Sequence, residues 1–126
     1  MSTRERTASI AIGLAIGVAI GLVLTGNAAA QGLTVDTYRR PNSQPELDFN
    51  KGYLSGIKDG LIAYNMVLDD KLFCLPGEIP TLSFDQANDL TMSWARKHGP
   101  DGASTPITRA LLTVLRERYP CRASAR

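Results

Sequence analysis

The chain has 126 residues, 44% of them hydrophobic, with 14 Lys+Arg, 12 Asp+Glu, 11 Gly, 7 Pro, 2 Cys and a single His. The length fits one domain, and the composition excludes a disordered polyelectrolyte, a collagen and a disulfide-dense knot. A net charge of +2 is too small for nucleic-acid binding driven by bulk electrostatics.

The first element is an export segment. Arg4 and Arg6 precede an uncharged stretch of 17 residues (8–24), and Ala28, Ala29 and Ala30 precede Gln31. A positive start, an apolar stretch and an A-x-A ending are the parts of a secretory signal peptide. Residues 1–30 are therefore expected to be removed between Ala30 and Gln31, leaving 96 residues. A retained inner-membrane anchor is the alternative. The apolar stretch is close to the lower limit for a span, and Gly13, Gly17 and Gly21 have the spacing that lets membrane helices approach closely. Under either reading Arg4 and Arg6 hold the N-terminus in the cytoplasm, and the remainder lies in the periplasm. No cysteine stands near the cleavage site, which argues against a lipoprotein.

Residues 31–47 show no helical period and contain Pro41, Asn42, Ser43 and Pro45. They read as a flexible leader. The folded domain is expected over 48–121, with 122–126 as a basic tail.

The spacing predicts a first helix over 49–68, with Phe49, Tyr53, Ile57, Leu61, Tyr64 and Leu68 as its apolar stripe. Gly52, Gly56 and Gly60 form a second row. Each costs about 1 kcal/mol against Ala inside a helix, so three in register suggest either a close-packed neighbour or simply a weak helix. Residues 69–80 follow as a loop, because Pro76 and Pro80 forbid a helix interior. Phe73, Leu75 and Ile79 are expected to lie on the core.

A second helix starts after Ser83. Ser83 and Gln86 fit a capping box, and Leu82 with Ala87 a hydrophobic staple. Ala87, Leu90, Thr91, Trp94 and Ala95 form its inner face. Arg96, Lys97 and His98 occupy the last turn, Gly99 suits the position past the end, and Pro100 stops the helix. A third helix has Thr105 as N-cap, Pro106 at its first position, and Ile107, Ala110, Leu111, Val114, Leu115 and Tyr119 as its stripe. Pro120 ends it. No segment alternates with period two, so no sheet is expected.

Cys74 and Cys121 are the only cysteines. An even count in an oxidising compartment reads as one disulfide, and a loop of this span is worth about 4 kcal/mol in the chain-entropy model. The rival reading, Cys74 as nucleophile and His98 as base, lacks any cysteine-protease signature around it. One His and two Cys are too few for a metal site. Asp69 and Asp70 could form a carboxylate pair for acid–base work, but adjacent carboxylates in a loop are ordinarily solvated. Arg116, Arg118, Arg122 and Arg126 either contact a partner or a membrane surface, or complement a helix end. Trp94 is either an interface anchor or a core residue. No phosphate loop, nucleophile elbow or zinc motif is present. No catalytic, cofactor-binding or metal-ligating residue is identified, and the chain reads as a non-enzyme.

Gly52-Tyr53-x-x-Gly56, Phe73-Cys74-Leu75-Pro76, Thr81-Leu82 with Gln86, a helix ending near His98-Gly99-Pro100, and Tyr119-Pro120-Cys121 together resemble the Rap/Tai-type immunity protein family over residues 50–121. The resemblance implies a small all-helical exported protein that binds and blocks a type VI secretion amidase effector in the periplasm. The chain lacks the second cysteine pair of some immunity-type members. The two-cysteine helical layout is also similar to the HdeA-type acid-stress chaperones, which implies acid-triggered exposure of apolar surface.

The expected architecture is all-α: a small three-to-four-helix orthogonal bundle stapled by one disulfide, a staple that so small a core needs. The expected function is binding without chemistry, foremost of a cognate toxin. An acid-stress chaperone or an envelope protein of other role is the alternative. The partner is a protein, with a homodimer as a further arrangement, no nucleic acid, and membrane contact only through a retained 8–24 segment. Contact is expected through the loop 69–80 or the turn 97–104, because loops on a rigid frame carry binding.

Overall fold

The computed structural model describes residues 32–122, so the export segment with Ala30 and Gln31, and the last four residues, lie outside the described part. Five helices and no strand form there: α1 (Val35–Arg39), α2 (Gln44–Val67), α3 (Phe84–Lys97), α4 (Gly99–Ser104) and α5 (Ile107–Arg118). The three long helices carry the fold, and the two short ones fall where the sequence reads as leader and turn.

The leader is the first correction. Thr34 caps α1 by accepting from the Thr37 amide, and Val35 and Tyr38 are buried in the core. Two backbone hydrogen bonds fasten the segment: Val35 N–H donates to the Thr105 carbonyl at 3.0 Å, and Ile107 N–H to the Leu33 carbonyl at 2.8 Å. The second satisfies one of the donors that the start of α5 would otherwise leave unmet. A five-residue helix is too short to show a period, so its docking was illegible in the spacing.

α2 begins at Gln44 rather than Phe49. Ser43 accepts from the Glu46 amide at 3.3 Å, and the Glu46 carboxylate accepts from the Asn42 amide at 2.8 Å. Pro45 sits in the first turn, where its missing N–H is harmless. The buried side of α2 is Asn50, Leu54 and Asn65, with Ile57 and Leu61 beside them. Phe49 and Tyr64, assigned to the inner stripe, are exposed. Asparagine counts as wet in a periodicity argument. Here both asparagines are inside because each is hydrogen-bonded to backbone: Asn50 Nδ2–H donates to the Tyr38 carbonyl at 2.9 Å, and Asn65 ties down the next loop. The glycine row is not a close contact either. A Cβ built on Gly52, Gly56 or Gly60 meets nothing within 4 Å.

α3 forms as expected. Ser83 N–H donates to Gln86 Oε1 at 2.9 Å, and Gln86 N–H to Ser83 Oγ at 3.1 Å, closing the capping box. Ala87, Thr91 and Ala95 are buried, and the Thr91 hydroxyl donates back to the Ala87 carbonyl. Gly99 adopts φ +56°, the left-handed conformation that ends a helix at small cost for glycine. Pro100 then starts α4 instead of only stopping α3. The close approach lies here: a Cβ on Gly102 would stand 2.4 Å from the Ala95 carbonyl oxygen.

α5 starts one residue later than the capping argument places it. Pro106 is the cap and Ile107 the first helical residue; Thr105 instead ends α4, its hydroxyl donating to the Asp101 carbonyl at 2.6 Å. Its inner face is Ile107, Ala110, Leu111, Val114 and Leu115, all buried as the stripe predicts. Leu54, Phe73, Ile107, Leu111 and Leu115 are the largest fully buried apolar side chains, each worth about 1.5–3 kcal/mol of transfer free energy. Cys74 and Cys121 form the disulfide, with Cα atoms 4.9 Å apart.

Candidate protein-docking surface

The loop that joins α2 to α3 is fixed at its base and open at its tip. Asn65, in the last turns of α2, does most of the fixing. Its Oδ1 accepts from the Leu72 amide at 2.7 Å and from the Phe73 amide at 3.4 Å, and its Nδ2–H donates to the Phe73 carbonyl at 2.8 Å. Phe73 is 1% exposed and belongs to the core. Beyond it, Cys74 N–H donates to the Tyr119 carbonyl at 2.8 Å, and the disulfide holds Cys74 to Cys121 just past α5. Lys71 turns back on the end of α2, donating to the Met66 and Leu68 carbonyls at 2.8 and 2.5 Å. This meets carbonyls that a helix terminus leaves without partners.

The tip is different. Residues 76–79 are exposed, and Gly77 takes φ +96°, a turn conformation that suits glycine. Ile79, expected on the core, is 78% exposed. At the adjoining end of α2, Tyr64, Met66 and Val67 are exposed as well. Ala63 and Met66 line a shallow groove of about 200 Å³ with Pro80 and Leu82. The exposed bulky apolar side chains on this loop and on the helix end before it make this end of the molecule the candidate for protein contact. The charges around them are acidic: Asp59, Asp69, Asp70 and Glu78 are exposed. Lys58 pairs with Asp59 at 2.5 Å, and Lys71, which donates to the end of α2, is the one cation of the loop against its three carboxylates.

The structure brings some of the candidate residues together and separates others. Asp69 and Asp70 sit in the bend after α2, exposed. Cys74 has no thiol to offer as a nucleophile, since it is bonded to Cys121 and no cysteine among the described residues is free. His98 closes α3: its Nδ1 lies 2.8 Å from the Trp94 carbonyl oxygen, so that nitrogen is the donor, and its ring stacks on Trp94 with centroids 4.1 Å apart. Trp94 is partly buried against the core. The turn 97–104 is mostly α4 and lies apart from the loop 69–80, with Lys97 lining another groove. Arg116, Arg118 and Arg122 are exposed, whereas Arg126 lies outside the described residues. No cluster of three His, Cys, Asp or Glu suited to a metal occurs among the described residues. No helix among them is long and apolar enough to cross a membrane.

Sequence reasoning missed Met66, Val67 and Ile79 as surface residues. The only available signal was the run Met66-Val67-Leu68, where three successive apolar residues cannot all face one side of a helix.

Fold and surface together define a small disulfide-stapled helical protein that presents apolar side chains on a braced loop. Residues 25–121 match the model of the Rap1a immunity proteins, and the chain belongs to that family. No curated protein matches it. No solved structure matches it.

Proposed function

We propose that the protein is exported, is cut between Ala30 and Gln31, and neutralises a toxin in the periplasm by binding it without chemistry of its own. The toxin class is an amidase effector of type VI secretion, as the resemblance set out above implies. The observation that carries the reading is the match to the immunity-protein model, which covers residues 25–121 and so nearly all of the described domain. The braced loop 69–80 and the end of α2 supply the contact surface, with Ile79, Val67 and Met66 as apolar anchors.

The test is affinity capture from the native envelope with the disulfide-intact protein at neutral pH. The expected result is one stoichiometric hydrolase whose peptidoglycan amidase activity falls as the protein is added. N-terminal sequencing of the envelope form should begin at Gln31. Capture of nothing, together with suppression of client aggregation at strongly acidic pH, would replace this reading with the chaperone one.

A further inference from the structure

A second surface lies between α3 and α5. It is a groove of about 390 Å³, within the size range in which proteins seat bound groups. Leu90, Trp94 and Val114 supply its apolar lining, and Lys97, Arg118 and Glu117 its rim. Lys97 and Arg118 are exposed, and neither is in an ion pair among the described residues, where the only three pairs join Arg39 and Arg40 to Asp36, and Lys58 to Asp59. The Trp94 ring is held by packing and by the stacked His98 ring, while its buried Nε1–H has no hydrogen-bond partner. An unmet buried donor is unfavourable.

We propose that this groove docks an acidic protein segment carrying one bulky apolar side chain. The apolar side chain would lie against Leu90, Trp94 and Val114, with carboxylates beside it facing Lys97 and Arg118. Charge decides the occupant. Two unpaired cations outweigh the single rim carboxylate of Glu117, so a basic segment is repelled where an acidic one is attracted. The groove is also opposite in sign to the loop 69–80, where Asp69, Asp70 and Glu78 outnumber Lys71. One chain therefore presents two surfaces that select different partner chemistry. This assignment goes beyond toxin neutralisation and does not depend on it.

The experiment uses Trp94, the only tryptophan of the chain, as its reporter. The disulfide-intact protein is titrated with an acetylated, amidated peptide of sequence Asp-Glu-Leu-Glu-Asp, and separately with Lys-Lys-Leu-Lys-Lys. The acidic peptide should give a saturable change in Trp94 emission that weakens as salt is raised. The basic peptide should give none. The double variant K97E/R118E, which should lower the melting temperature modestly because it puts carboxylates at the C-terminal ends of α3 and α5, should in its folded state weaken the acidic peptide about tenfold or more. No saturable signal with the acidic peptide at millimolar concentration overturns the proposal. So does equal binding of the two peptides, or acidic-peptide binding that K97E/R118E leaves unchanged.

Discussion

Asn65 should be the residue on which the loop 69–80 depends most. Replacing it with alanine removes three hydrogen bonds. One of them, the Phe73 amide at 3.4 Å, is long and contributes little. The other two are at 2.7 and 2.8 Å, to the Leu72 amide and from Nδ2–H to the Phe73 carbonyl. Leu72 is only partly buried, so water can reach its amide and recover part of the loss. The Phe73 carbonyl belongs to a residue 1% exposed, and an unmet buried acceptor costs about 1–3 kcal/mol. Adding about 1 kcal/mol for the Leu72 bond, Asn65→Ala should destabilise the domain by about 2–4 kcal/mol. Asn65→Asp keeps an acceptor for Leu72 but turns a carboxylate oxygen toward the Phe73 carbonyl, so at neutral pH it should be no milder than alanine.

The assay is urea denaturation under non-reducing conditions, paired with amide hydrogen exchange. The slope against urea should stay near the wild-type value while the midpoint falls. Protection should drop first at Leu72, Phe73 and Cys74. A change below about 0.5 kcal/mol, the range of ordinary surface substitutions, with protection of Phe73 and Cys74 unaltered, would refute the reasoning. The loop would then be held by the disulfide and by Phe73 packing alone.

Cys74→Ala should cost about 4 kcal/mol by the chain-entropy model for a separation of 47 residues; equal melting temperatures for variant and wild type without reductant would contradict it. Gly102→Ala should destabilise by about 1–3 kcal/mol, because its Cβ would stand 2.4 Å from the Ala95 carbonyl oxygen. Gly56→Ala should do the reverse, raising stability by about 0.5–1 kcal/mol, since the space around it is open and the helix interior favours alanine; thermal melts of the two variants check both signs. Burial raises the Tyr38 pKa above its ordinary 10.0. Above that pH the unfolded chain loses the phenolic proton while the folded one retains it, so Tyr38 makes stability fall as pH climbs through 10 toward the folded value. Tyr38→Phe should remove that part of the alkaline slope, and at neutral pH should lose about 1 kcal/mol for the 2.8 Å bond to Asn88. Ile79→Asp should leave the melting temperature within the surface range yet weaken capture of the toxin, since Ile79 is 78% exposed.

What the sequence made legible follows one physical line. Periodic apolar stripes and cap residues place α3 and α5 almost to the residue, because Ser83, Gln86 and Gly99 have local jobs that do not depend on the rest of the fold. The cysteine count yields the Cys74–Cys121 bridge. Misreadings arose where tertiary contacts override local signals. Val35 and Tyr38 are buried because Leu33 and Val35 bond to Ile107 and Thr105, partners some seventy residues away. Asn50 and Asn65 are buried because distant backbone groups satisfy them, which no hydropathy pattern encodes. The Ser43-x-x-Glu46 start of α2 was a readable signal, hidden by Pro41 just before it and Pro45 within it. The candidate contact surface was legible only as a loop. Of the apolar loop residues expected on the core, Phe73 is buried and Ile79 is exposed.

Binding, unlike catalysis, asks the frame for stiffness more than for chemistry. A loop that must order itself on contact loses affinity through the entropy of each immobilised residue, and a loop ordered beforehand does not. Three ties set the base of the loop 69–80: the side chain of Asn65, the Cys74 amide on Tyr119, and the disulfide to Cys121. They reach it from α2 and from the end of α5, so neither helix can shift without moving the loop. The tip keeps apolar side chains in water, which is unfavourable for the free protein and favourable once a partner covers them. A small domain with a modest core retains such a surface when its stability comes from elsewhere. Here the bridge closes a long stretch of chain, and that contribution is present whether or not the partner is bound. The same staple that compensates for the small core therefore also fixes the base of the loop on which the proposed contact surface sits.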